Sequence, residues 1–225
     1  MCFSATGSFA LSGVLTLLGA ASMARNSSKP HRMIAAIPLL FAAQQSAEGA
    51  VWLTITGDHH TLNRVVVIIF LGIALVVWPT WLPFALRRVE RSVTRRRTLG
   101  ALLVAGSLVA ICAVLLMVSF PPFARIAGHS ISYDYAGSGD APKHPLLLLA
   151  YLVPTVAPFF VSTLSMARVL GSVLASSLLV SSLVQRDALT SVWCFFAAVL
   201  SGLILLALAR EQRATLARAV AGSAL

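Results

Sequence analysis

The sequence predicts an all-α, polytopic membrane bundle of seven transmembrane helices, N-terminus outside and C-terminus cytoplasmic. Three observations predict it. Of the 225 residues, 58% are hydrophobic and 11% charged, which leaves too little polar surface to cover a soluble globule. The apolar residues gather in runs of about 20, the length that crosses a bilayer core as a helix. Arginines and lysines fall almost entirely between these runs. Alternating ten-residue segments, the mark of a β-barrel, are absent, and helices satisfy their own backbone in lipid.

The expected spans are 5–24, 33–55, 64–86, 98–120, 145–165, 167–185 and 190–209. The first has no basic leader, and its small residues near Ala20–Ala24 run into a basic loop. It therefore reads as a permanent helix rather than a cleaved signal. The second carries Gln44, Gln45 and Glu48 within an otherwise apolar run. The third ends in Trp78-Pro79-Thr80-Trp81-Leu82-Pro83. Its prolines predict a kink, and its tryptophans read as an interfacial belt. Residues 121–144 form one long loop rich in Gly, Ser, Pro, Asp and Tyr, a lid or a linker by length. The fifth span carries Pro154 and Pro158, and a basic tail follows at 210–225.

The net charge is +10. It suggests nucleic acid until its distribution is traced. Thirteen basic residues, among them Arg87, Arg88, Arg91, Arg95, Arg96 and Arg97, lie on one side of the predicted membrane. Four, Arg64, Arg125, Lys143 and Arg186, lie on the other, beside Asp58, Asp134, Asp140 and Asp187. The positive-inside rule turns this asymmetry into the stated orientation in the cell membrane. The partner implied is the lipid bilayer with its anionic headgroups, and nucleic acid is disfavoured. Retinal chemistry is also disfavoured, because the only lysines are Lys29 and Lys143 and the last span offers no amine for a Schiff base.

Glu48 is the only acidic residue in a predicted span. A carboxylate in hydrocarbon costs several kcal/mol unless neutralised, paired or wetted, so it marks a candidate functional site. Gln44 and Trp52 lie four residues to either side and Gln45 three before, which puts them on one helix face. That face should point into the bundle. Ser8, Ser12, Tyr151, Thr155, Ser177, Ser181, Trp193 and Cys194 enter at similar depth, with Tyr133 and His129 above in the long loop. Cys112 reads as a small buried packing residue. Loss of Met1 would leave Cys2 with an amine beside its thiol, a metal-chelating or nucleophilic pair.

The opening Met1-Cys2-Phe3-Ser4-Ala5-Thr6 resembles that of an uncharacterised bacterial family of seven-helix membrane proteins. Gln44-Gln45, Glu48-Gly49, Trp52, Trp78-Pro79, His129 with Ile131 and Tyr133, and Ser191-Val192-Trp193-Cys194 extend the likeness over essentially the whole chain. Gly7 replaces an expected alanine. The resemblance implies a shared pattern of Cys2, Glu48, Trp52, His129, Tyr133, Trp193 and Cys194, and carries no activity with it.

The sequence thus leads to an outward-facing polar site with Glu48 as floor and Cys2 as rim. Its expected ligand-binding residues are Glu48, Gln44, Gln45, Trp52, Tyr133, Tyr151 and Trp193. A transition metal, zinc, iron or copper, would take Cys2, His129, Cys194 and Glu48 as donors. Two other readings stand beside it. One is a proton-coupled transporter using Glu48. The other is a non-catalytic sensor, assembly or structural protein with a Cys2–Cys194 disulfide.

Overall fold

The structure is a computed structural model that describes residues 4–25, 29–55, 57, 60–128, 130–137, 145–164, 167–184, 201–203 and 206. Most of the expected seventh span and the whole tail lie outside the described residues. The described chain is mostly helical. Helices α1 (Ala5–Arg25), α2 (Lys29–Ala35) and α3 (Ile37–Thr54) come first. Helix α4 (His60–Gly72) runs through a π-helical turn (Ile73–Val77) into α5 (Trp78–Val89). Then follow α6 (Val93–Ser119), strands β1 (Pro122–Ala127) and β2 (Ser130–Tyr135), α7 (Pro145–Val161) and α8 (Ala167–Val184).

Three of these rods are long and apolar enough to cross a membrane: Ala5–Arg25, the combined His60–Val89, and Val93–Ser119, of 21, 30 and 27 residues. Helix α3 is 18 residues long, but Gln44, Gln45 and Glu48 dilute its apolar character. The expected second span is broken at Ala36, because Pro38 occupies the first turn of α3 and has no N–H to continue a helix from above.

Helices α1 and α3 form the most extensive helix pair among the described residues. They run antiparallel: Phe9 lies against Gly49 and Gly19 against Leu39. Between those points the Ser12 hydroxyl donates to the Ala42 carbonyl at 2.9 Å and lies 2.7 Å from Ser46 Oγ. Ser12 has one proton, so Ser46 donates to Ser12.

The long loop contains a β-hairpin, which its turn-rich composition concealed. Gly128, at φ 63°, opens the two-residue connection and supplies the left-handed conformation such turns require. Pairing runs from Pro122 with Tyr135 to Ala127 with Ser130. Arg125 Nε meets Asp134 Oδ2 across the ladder at 2.5 Å, and Tyr133 stacks on Phe70 of α4 at 4.6 Å.

The apolar core has two parts. At the hairpin end, Val51, Val67, Phe70 and Ile131 pack together. Toward the opposite end, Trp78, Leu82, Leu86, Leu99, Phe159 and Leu170 do so. Helices α5, α6 and α7 meet at Gly106, where an added Cβ would overlap the Pro79 carbonyl oxygen and come within 3.2 Å of Pro154 Cβ. Pro83 supplies no N–H to that carbonyl, and the bare glycine lets α6 close over it.

Candidate functional site

Helix α3 carries the site. Gln44, Gln45 and Glu48 are buried, Glu48 at 0% exposure. Glu48 lies six residues from the end of α3 at Thr54, about 9 Å along the axis at 1.5 Å per residue. Val51 and Trp52, one turn on, belong to the core under the hairpin. The carboxylate is therefore inside the bundle, as its desolvation cost demands.

The two glutamines divide their work. Gln45 Nε2 donates to Glu48 Oε2 at 3.1 Å. Gln44 Oε1 accepts from the indole Nε1 of Trp78 at 2.6 Å. Trp78 is 3% exposed and tilts against Phe41, ring centroids 4.2 Å apart. It is not a belt residue: its polar edge finds its partner on α3. Trp81 also turns inward, donating to the Met33 carbonyl at 3.1 Å.

The backbone around Trp78 explains its reach. The Trp78 N–H bonds the Ile73 carbonyl, five residues back. The next donor in that π pattern would be residue 79, the partner for the Ala74 carbonyl, but proline has no N–H. The Tyr151 hydroxyl of α7 donates to the Ala74 carbonyl instead, at 2.9 Å. Tyr151, expected as a ligand residue, is thus 8% exposed and engaged in repairing a broken helix. Thr80 closes the same region by donating to the Val76 and Val77 carbonyls at 2.8 and 3.0 Å.

Of the other expected residues, Ser8 is wholly buried and its hydroxyl has no hydrogen-bond partner among the described residues. It lies one turn beyond Ser12, toward the depth at which Phe9 meets Gly49. Thr155 donates to the Tyr151 carbonyl at 2.7 Å and Ser177 to that of Leu174 at 2.7 Å. Both are local helix bonds. Tyr133 is held over Phe70 in the hairpin. Cys112 is exposed on α6, not a packing residue: an evenly apolar helix gives no sequence signal of which face turns outward. Cys2, His129, Trp193, Cys194 and the Ser181 side chain lie outside the described residues. Among the described residues no group of three or more His, Cys, Asp or Glu could hold a metal, and Glu48 is the one expected donor they include.

Sequence reasoning missed Glu90. It follows α5 directly and is 5% exposed. Its carboxylate accepts from the Ser92 N–H at 3.0 Å, the Thr163 N–H at 2.8 Å and the Thr163 hydroxyl at 3.0 Å. Burial alone would raise its pKa, but these bonds and one from the Arg91 backbone outweigh burial and hold it below the ordinary carboxylate range. Glu90 ties the α5–α6 turn to the segment after α7. A run of arginines on both sides masked it in the sequence.

Fold and site together define a helical protein that has, among the described residues, three helices long and apolar enough to cross a bilayer and a buried polar seam linking α1, α3, the π-turn and α7. The chain belongs to the Family of unknown function (DUF6629), whose model matches residues 1–220. No curated protein and no solved structure matches it.

Proposed function

We propose that the chain is a seven-span protein of the cell membrane, N-terminus outside, whose outward-facing polar site binds a metal ion or a small polar ligand for recognition or catalysis. The observation that carries this is the Glu48 carboxylate, wholly buried on a helix with Gln45 as its amide donor. A carboxylate so placed is costly in a purely structural role, where an apolar residue would pack as well. The Ser8 hydroxyl at neighbouring depth, with no hydrogen-bond partner among the described residues, adds a second polar atom suited to a ligand or a bound water. In this reading Cys2, His129 and Cys194 supply the rim, and zinc, iron or copper fits their donor chemistry together with Glu48.

The test is a titration of purified protein with Zn²⁺ alone, then with Fe²⁺ and Cu⁺ under reducing conditions, comparing wild type with Glu48→Gln and Cys2→Ser. Saturable binding weakened by both substitutions supports the metal form. Absence of binding in either redox state removes it and leaves the small-ligand form. A proton-coupled carrier is the second reading. It is favoured by the π-turn and Pro79 in the helix that touches Gln44, and by a second buried carboxylate, Glu90, at the far end of that helix. Proteoliposomes that move no protons under any imposed gradient would eliminate it.

A further inference from the structure

Tyr151 and Glu48 have no element in common, yet three hydrogen bonds, connected to one another through the backbone, lie between them. The Tyr151 hydroxyl holds the Ala74 carbonyl that Pro79 cannot serve. The π-turn containing Ala74 sets the rotation at which Trp78 leaves it, and the indole N–H then meets Gln44. Gln44 neighbours Gln45, which donates to Glu48. A π-turn holds one residue more than the corresponding α-turn, so its loss changes the direction of the side chains that follow. From this chain of contacts we propose that Tyr151 is a positioning residue for the Glu48 cluster, keeping the π-turn in the register that presents Trp78 to Gln44.

The competing role is purely local. Tyr151 would satisfy an orphaned carbonyl, which any helix with an internal proline needs, and α3 would not feel its loss. Packing argues for the longer reach. Trp78 is almost fully buried between Phe41 and the core of α5, α6 and α7, so a change of direction cannot be absorbed by solvent. The bond to Gln44 is short, and such bonds lose strength steeply with misalignment. The proposal rests on the Glu48 site as read above, and its test works on the protein without ligand.

The full chain, labelled with ¹⁵N-tryptophan in lipid nanodiscs, gives one indole N–H resonance for each of its four tryptophans. Trp78→Phe identifies the relevant one, and Gln44→Leu fixes its position without an acceptor. In Tyr151→Phe the Trp78 resonance should move toward the Gln44→Leu position. A hydrophobic carbodiimide, with Glu48→Gln as control, should then label Glu48 at a severalfold altered rate in Tyr151→Phe and Gln44→Leu alike. An unmoved Trp78 resonance overturns the proposal and leaves Tyr151 a local cap. A moved resonance with unchanged labelling also overturns it, because the linkage then stops at Gln44. Neither result bears on whether Glu48 binds a ligand, which the metal titration decides. Incorporation of 3-fluorotyrosine keeps the ring and alters the donor. It covers a Tyr151→Phe variant that does not fold: the Trp78 resonance must shift, and its failure to do so counts against the proposal.

Discussion

Breaking the Trp78–Gln44 bond from both sides should cost less than the sum of breaking it from each side alone. Each single substitution strands a buried group. Trp78→Phe leaves the Gln44 carbonyl oxygen unserved, and Gln44→Leu leaves the indole N–H. The penalty for such a group is about 1–3 kcal/mol. Trp78→Phe also gives up part of its packing on Phe41 and the core around Leu82, adding about 1 kcal/mol. The expected losses are therefore roughly 2–4 kcal/mol for Trp78→Phe and roughly 1–3 kcal/mol for Gln44→Leu. In the double variant neither group remains. Interhelical hydrogen bonds in membrane proteins couple by about 0.6 kcal/mol on average and by at most about 1.7. At 2.6 Å, between side chains 3% and 4% exposed, this pair belongs near the top, about 1.5 kcal/mol. Equilibrium unfolding of the four proteins in mixed micelles measures it. Strict additivity within about 0.5 kcal/mol would refute the claim that the two helices are joined there.

Other consequences follow at separate places. Gly106→Ala should push α6 off α5 and cost at least about 1–3 kcal/mol, read as a lowered midpoint in the same unfolding assay. Its wild-type-like midpoint would mean that the α5–α6 approach is looser than described. Glu90 has a depressed pKa in the folded state, so its stabilisation is complete above the ordinary glutamate range and is lost as pH falls through its folded value. Thermal midpoints should therefore fall with pH below about 4, and Glu90→Gln should flatten that dependence while lowering the midpoint at neutral pH. Burial pushes Tyr135 up from 10.0 to about 12. Its contribution is intact below pH 10 and disappears as pH rises toward 12, a loss that Tyr135→Phe should abolish in alkaline unfolding of the hairpin. Asp134→Asn should cost no more than about 1 kcal/mol, because its ion pair with Arg125 is solvent-accessible.

Much of this arrangement was legible from residue chemistry. Glu48 had to be buried and partnered because an uncompensated charge is costly in an apolar run, and the helical spacing put Gln45 on its face. Long apolar runs placed α1, the α4–α5 rod and α6 within a few residues. What escaped depends on relations between elements. A tryptophan beside a proline looks the same whether it faces headgroups or a glutamine on another helix, so Trp78 gave no sign of its partner. Pro79 announced a kink, but the π-turn and the hydroxyl that stabilises it come from packing against α7. In β2, Ser-Ile-Ser-Tyr-Asp-Tyr alternates with the period of a strand, a signal that the loop's glycines and prolines overshadowed. Glu90 could have been found as the lone acid in a run of arginines, where a carboxylate has a reason to be singled out.

Native mass spectrometry of the chain released from gentle detergent reports whether the Glu48 site holds a ligand. A discrete adduct, a metal ion or a small molecule, should ride on the wild-type protein, either as purified or after addition of Zn²⁺. Glu48→Gln should lose it while retaining the wild-type circular dichroism. Wild type and variant both at the bare chain mass, under every condition tried, would contradict a binding site built on Glu48.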